Sequence, residues 1–584
     1  MTTRRFHHVI FADDFFRSAA NGLAYHAADR RFLRGFLDSA LGRLGLPMRD
    51  VAPLSDGGRI DVARLMDRLE LPRTPAGWAR ACVADLLPLA GRDGMPAFDA
   101  GCLVIGWGLT PALLHCIHRS GASYLDIEID PRRFTEHMHF CARTNDPVIE
   151  AALRARCVDD ELFWNHAAVR KGCFARRGAP TLFDPRLRVG LFFGQDLLDL
   201  SLVSGGRTMH PASVIAPLRE LAQGVDLLVI KPHSHEPALH DLVPIARAIP
   251  NVAWTRENTY ALLSASNVHF VAGLSSNVLA EARYFRKPAH ALIEPDRDAA
   301  GQLPLACSDW IAMGPGLGAM DFVEAVCGGG DDGGGIDGRA KEPEAENHHA
   351  ASPGPSPVPG STAWPATAID RAFGARRSFD DDQGLSLGLP EVSELQLGRP
   401  YMFHPGSAAL GWLSHGWSGF HDAGVRSHGE LACLVIPLPA LSPSASHQQP
   451  HRLEVRIDFL ANAKPTSVHA MFDGVVLPGQ RATGARRRSV VFEVQPTAGR
   501  KCLVLQFVVA DASRAVATGG MRRLVMAPPS FSIRKLQVSL RTGRGVISAP
   551  PEATASRPWS EMYPVRAVAR VFRALVDSAR RVSG

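Results

Sequence analysis

Polar side chains cluster where short apolar runs give way to turns. RVGLFFG is followed by Gln195, Asp196 and, after two leucines, Asp199; DLLVI is followed by Lys231, Pro232, His233, Ser234 and His235; VHFVAG is followed by Leu274, Ser275, Ser276 and Asn277. If each run is a strand, all three turns fall at one edge of a sheet. A lysine, a histidine and hydroxyls opening a helix supply what a phosphate needs: a point charge, hydrogen-bond donors and backbone N–H groups. Lys231, His233, Ser275 and Ser276, with Gln195 and with Glu281 on the helix that follows, are therefore expected to form a nucleotide-phosphate site by co-location. The competing reading for the serine pair is plain helix capping, which Ser275 or Ser276 would satisfy equally well.

The chain also places carboxylates where they could do chemistry. SYLDIEIDPRRF alternates apolar and acidic residues, which sets Asp126, Glu128 and Asp130 on one strand face. Three carboxylates so placed repel one another unless a cation faces them or one keeps its proton. Arg132 and Arg133 are near enough to be structural partners. The functional alternative has Glu128 pointing into a cleft opposite Asp199. Carboxylates paired across a cleft suit glycosyl transfer, one as nucleophile or ion-pair stabiliser and the other as acid/base. Asp196 lies close enough in sequence to compete with Asp199 for the nucleophile's role. Gly106 and Gly108, in GWGLTPALL, are placed to let a ligand approach the backbone.

These residues need a scaffold, and the apolar pattern provides one. Runs of four to six apolar residues alternate with helical patterns of ten to fourteen, the signature of βαβ units and parallel sheets. Two such halves, 1–180 and 181–327, are expected as doubly wound Rossmann-like domains facing one another across a cleft, with ligands beyond the carboxyl ends of the strands. Residues 328–378, rich in Gly, Pro, Ser and charge, read as a flexible linker. Strand-like segments at turn-punctuated intervals then predict a β-sandwich over 379–545. The tail, 546–584, carries Val565, Val568, Phe572, Leu575 and Ala579 at helical spacing with arginines elsewhere around the helix. Such a basic amphipathic helix could lie on anionic lipid or pack on the protein itself.

Composition narrows the classes. With 584 residues, 46% hydrophobic and 21% charged, the chain is globular, and its net charge of +6 carries no dense basic run of the kind nucleic acid requires. Ten scattered cysteines show neither paired spacing nor a metal-ligand pattern, so reduced thiols and no metal are expected. The N-terminal apolar stretch is broken by Asp13 and Asp14 and does not read as a signal peptide, and no run is long enough to span a membrane. The expected location is the cytoplasm, with peripheral contact at the inner face of the membrane through the C-terminal helix.

Taken in order, GWGLTP, LDIEIDPRRF, GLFFGQDLLDLSL, IKPHSHEP and ENTYALLSASNVHFVAGLSSNVLAEARYFRKP resemble the retaining β-Kdo glycosyltransferases of bacterial capsule and O-antigen synthesis, over roughly residues 95–295. The resemblance implies a GT-B arrangement of the two α/β domains and CMP-Kdo as donor. It further implies a capsular or lipid-linked glycan as acceptor, and no metal or other cofactor. It matches Asp199 to the nucleophile, Glu128 to the second acidic residue, His233 to the phosphate-binding histidine and Ser275 and Ser276 to the serine pair. The family commonly reads KPHP; here Ser234, His235 and Glu236 intervene before Pro237, so either His233 or His235 could be the phosphate ligand. Alternatives are a GT-B transferase with another donor, an NDP-sugar or pyruvyl group, and a non-catalytic glycan-binding scaffold. In the sandwich, Trp412, Trp417 and Phe420 could stack on sugar rings or form its core.

Overall fold

The computed structural model describes residues 5–328 except 22, 24, 136–138, 176–180, 197–198, 234–240, 294–309 and 315–319. It also describes residues 395–540 except 405–406, 422–423, 428–430, 440–451, 462–465, 474, 478–486, 498 and 512–530. The expected linker and the basic C-terminal helix lie outside the described residues, as do Ser234, His235 and Glu236.

The first sheet is built from β1 (His8–Ala12), β2 (Met48–Asp50), β3 (Cys102–Trp107), β4 (Ser123–Ile129) and β5 (Phe140–Thr144). In the order β2-β1-β3-β4 the strands run parallel; β5 then pairs antiparallel with β4. The sheet is thus mixed and not wholly doubly wound. Helix α1 (Ala27–Arg43) follows β1 and buries Leu33, Phe36, Leu37 and Leu41, residues at the three- and four-residue spacing of one helix face.

The second sheet is parallel throughout. It comprises β6 (Val189–Phe193), β9 (Leu227–Lys231), β10 (Val252–Trp254), β11 (Val268–Gly273) and β12 (Ala289–Ala291); β7 (Val203–Ser204) and β8 (Arg207–Thr208), between β6 and β9 in sequence, form a separate antiparallel ribbon. Its order is β10-β9-β6-β11-β12. β6 and β9 are buried at every position, as strands covered on both faces must be. Gly190 leaves room for Phe270, whose ring would sit 2.3 Å from a Cβ at that position. The chain's direction of growth reverses between β6 and β11, which opens a crevice beyond their carboxyl ends.

Two departures from the sequence reading follow from packing. The helices after the second-sheet strands are shorter than their patterns: Thr259–Ser264 is six residues and Val278–Ala282 is five. The latter passes through a tight turn, Arg283–Phe285, that closes on Arg286 in the left-handed region at φ 58°. The last elements assigned to the second half belong instead to the first. β13 (Ile311–Met313) pairs antiparallel with β5, and the helix Met320–Cys327 packs beside Pro147–Arg154. Buried Ile311, Met313, Phe322, Val323 and Val326 fill the core around β4 and β5. A sequence boundary at 327 cannot show that return, because apolar strands look alike wherever they pair.

Residues 395–540 form two antiparallel sheets around a common core. Trp412 and Trp417 lie inside it, 0% and 8% exposed, with the Trp417 indole N–H donating to the Cys433 carbonyl at 2.8 Å. Neither can stack on a sugar. The side chain of Phe420 lies outside the described residues.

The sandwich is seated against the edge of the second sheet. Leu431, Cys433, Val435, Cys502 and Val504 share one core with Val252 and Trp254. Gln506 is buried at the seam; its amide donates to the Val252 carbonyl at 2.9 Å and its carbonyl oxygen accepts from the Trp254 indole at 3.4 Å. Ser414 donates to the Trp254 carbonyl, and Lys501 pairs with Asp226 at 3.0 Å. The otherwise unpaired edge of β10 is thereby covered. Among the described residues no helix is long and apolar enough to cross a membrane.

Truncating Trp254 would empty the centre of this seam. Trp254→Ala is expected to cost about 3–5 kcal/mol, read from urea denaturation followed by circular dichroism. An unchanged transition would mean that the seam does not couple the sandwich to the sheet.

Candidate active site

One side chain joins the turns that leave β6 and β11. β6 ends at Phe193; Gly194 donates its backbone N–H to the Lys231 carbonyl at 2.8 Å, bringing the ends of β6 and β9 together. Gln195 follows and is 8% exposed. Its Nε2 lies 2.7 Å from Ser201 Oγ, 3.1 Å from Ser275 Oγ and 3.2 Å from Asp199 Oδ2, while its Oε1 accepts from the Ser275 backbone N–H at 3.1 Å. Ser275 Oγ also reaches Ser201 Oγ at 2.9 Å. The turn after β6 and the turn after β11 are thus stitched together through a single amide.

This network positions Asp199. The residue is exposed and caps the short turn Leu200–Leu202, its Oδ1 accepting from the Ser201 N–H at 3.0 Å. With one oxygen held there and the other near Gln195, the carboxylate has a defined orientation and an open side. Its backbone N–H donates to the Asp196 carbonyl at 3.1 Å, so Asp196 shapes the turn that carries it.

The serine pair does not cap the following helix. Asn277 occupies the N-cap of Val278–Ala282 without a side-chain bond. Ser275 is given to Gln195 and Ser201, and the Ser276 hydroxyl has no hydrogen-bond partner among the described residues. Lys231 is 8% exposed and its Nζ donates to the Glu257 carbonyl at 2.9 Å. The backbone N–H of His233 lies beside Gly194, where an added Cβ would meet it at 3.2 Å. Glu281, expected at the nucleotide, is buried, and its Oε1 accepts from the Arg133 backbone at 2.7 Å and from the Tyr260 hydroxyl at 3.1 Å. It braces the segment after β4 against the second sheet.

In the first sheet, β4 settles its three carboxylates differently. Asp126, fully buried, takes Arg143 at 2.8 and 2.9 Å and the Leu109 N–H at 3.0 Å. Asp130 takes Arg132 at 2.6 and 2.8 Å. Arg132 is thus the structural partner the sequence suggested, whereas Arg143, on β5, is a partner that sequence proximity could not reveal. Glu128 has no hydrogen bond or ion pair to its carboxyl among the described residues. Burial, then repulsion from Asp126 and from Asp199, against attraction to Arg143 and Arg133, raises its pKa to about 8. Asp199 is thus one of the weaker influences on Glu128, after burial, Asp126 and Arg143.

The glycines nearby have separate reasons. Gly108, at φ 57°, leaves space for Glu128, whose Oε1 would be 2.8 Å from an added Cβ. Gly106 is kept small by Leu109, 2.3 Å from such a Cβ, and so serves packing instead of a ligand. The sequence reading also passed over Ser201, although it stands only two residues beyond Asp199.

No protein-family model matches the sequence, and no curated protein matches it. Among solved structures, Thermosulfurimonas dismutans KpsC, a beta Kdo 2,7 transferase, is similar at 13% identity over 55% of this chain and 89% of that one, with a TM-score of 0.27. A carbohydrate-binding module, CBM36 in complex with calcium and xylotriose, covers 22% of this chain and 92% of its own at 9% identity and a TM-score of 0.14. A two-domain esterase active on acetylated mannans covers 60% and 91% at 9% identity and a TM-score of 0.15. At TM-scores of this size the likenesses carry no weight for activity, which is left to the geometry of the site.

The Glu128 proton has a thermodynamic signature. The folded carboxyl keeps its proton up to about pH 8, whereas the ordinary value is 4.5. Between these values the folded chain binds more protons than the unfolded one, so stability falls as pH rises through the window and levels off above it. Glu128→Gln cannot ionise; it should melt with the wild type near pH 4.5 and about 2–4 °C higher at pH 9. A melting difference that is constant with pH would contradict a carboxyl that holds its proton in the folded chain.

Proposed function

We propose that the chain is a retaining glycosyltransferase that moves Kdo or a related ulosonic acid from a CMP-sugar to a capsular or lipid-linked glycan in the cytoplasm, with the two α/β sheets in a GT-B arrangement. The observation that supports this reading is an exposed Asp199, oriented by the Ser201 N–H at the turn where the strand order reverses, in a chain whose β4 carries a proton-holding Glu128.

In the first step an Asp199 oxygen attacks the anomeric carbon. The bond from that carbon to the phosphate oxygen of CMP breaks, and its electron pair leaves with the phosphate. His233 and Ser276, at the ends of β9 and β11, are proposed to receive the phosphate, and His235 remains the alternative to His233. Lys231 would act mainly by holding the Glu257 turn against β9. Arg133 would take the sugar's carboxylate: its buried Nε has no hydrogen-bond partner among the described residues, and its charge reaches Glu128.

In the second step an acceptor hydroxyl attacks the same carbon and gives its proton to Glu128, while the ester bond breaks and its electrons return to Asp199. Two inversions leave the configuration unchanged. The electrostatics favour this sequence. Esterification removes the negative charge of Asp199, one of the causes that raise the Glu128 pKa, so Glu128 ionises more readily when a base is needed.

Asp199→Asn is expected to lower transfer by at least about a thousandfold while CMP still binds; near-wild-type turnover would remove Asp199 from the nucleophile's role. In wild-type protein, kcat/KM for the acceptor should rise with pH through a limb below about 8, because that parameter reports the glycosylated enzyme. Glu128→Gln should lose the limb, and a limb retained in that variant would assign the base elsewhere.

A further inference from the structure

A second cavity opens on the first sheet, at the same carboxyl-end rim as Glu128. Helix α1 and the turn after β2 enclose about 420 Å³, within the range of small-molecule sites and more than a bare phosphate fills. Its charged lining is Arg30, Arg31, Arg34 and Arg59 against Asp50 and Asp56; outside the lining, Asp13 lies 3.7 Å from Arg30 and Asp38 3.2 Å from Arg34, so Arg59 is the guanidinium left for an incoming anion.

The guanidinium groups are held in place by the protein. Arg30, 3% exposed, donates to the Val51 carbonyl at 2.8 Å and to Asp56 at 2.5 Å. Arg31 shares Asp56, and Arg34 reaches Asp50 at 3.0 Å. Arg59 is exposed and has no ion pair among the described residues. Guanidinium forks fixed in this way keep N–H groups for a planar anion without first having to be ordered.

Position along the rim indicates what that anion belongs to. In the order β2-β1-β3-β4, three strand spacings separate the cavity from Glu128, about 14 Å. A short oligosaccharide spans that distance. Transfer of an ulosonic acid also leaves a carboxylate on the chain at each addition, so the product of one round carries the charge that the next would present. Building on the transferase reading above, we propose that this cavity is an acceptor subsite for the carboxylate of an acidic sugar, a short oligosaccharide behind the hydroxyl that reacts at Glu128.

The test uses the full chain and isothermal titration. The probes are a trisaccharide with a uronic acid at the residue farthest from its accepting hydroxyl, its carboxyl-reduced neutral counterpart, and inorganic phosphate. The acidic trisaccharide should bind about tenfold tighter than the neutral one. Arg59→Ala, exposed and harmless to folding, should shrink that ratio, and Arg34→Ala with Arg59→Ala should bring it to within about twofold. Equal affinity for the two trisaccharides in wild type would overturn the assignment, as would a ratio that survives both substitutions. Phosphate binding as tightly as the acidic trisaccharide would also overturn it, in favour of a phosphate site. CMP titrated into the same proteins separates the two readings: loss of CMP binding in wild type counts against the transferase, whereas an acidic preference missing beside intact CMP binding counts against the subsite alone.

Discussion

Three carboxylates cannot all be charged on one buried strand, and the way β4 disposes of them governs the rest of the site. Asp126 is neutralised by Arg143 and Asp130 by Arg132, each at hydrogen-bond distance. Glu128, between them in sequence, is left to solve the problem with a proton. Its pKa of about 8 follows from burial first and from the Asp126 charge second. A carboxyl that titrates near neutrality is the useful product of this constraint, since proton transfer is efficient when the group's pKa lies close to the working pH.

The second sheet contributes position. Because its strand order reverses between β6 and β11, two turns meet at a crevice, and the Gln195 amide fixes both of them. Asp199 hangs from the same network by its bond to the Ser201 N–H. The two sheets are braced near this point by Glu281, which accepts from the backbone of Arg133 just beyond β4. Glu128 thus comes from the first sheet and Asp199 from a turn of the second α/β half, and the Arg133–Glu281 hydrogen bond joins the two halves. The sandwich adds a third constraint by covering the edge of β10 through Trp254 and Gln506.

Much of this was legible in the sequence because period and position carry the information. Alternation in SYLDIEI set Asp126 and Glu128 on one face, and the strand ends at Gln195, Lys231 and Ser275 fell on one edge as expected. What escaped depends on partners distant in the chain. Arg143 meets Asp126 only because β5 runs antiparallel to β4. Glu281 looks like a ligand-facing acid until Arg133 and Tyr260 occupy it. A serine ahead of a helix looks like a cap until Gln195, eighty residues earlier, claims its hydroxyl. Trp412 and Trp417 read as sugar-stacking or core residues alike, and only the closed sandwich decides for the core. The return of β13 to the first sheet likewise has no local signal.

The central claim is that Asp199 becomes covalently glycosylated while Glu128 waits to act as base. Intact mass of the Glu128→Gln protein after incubation with CMP-Kdo, followed by peptide mapping, tests it directly. The account predicts a single added sugar residue on the peptide carrying Asp199, accumulating because the base that completes transfer is missing. An unmodified chain alongside continuing release of CMP, or an adduct on another residue, would contradict it.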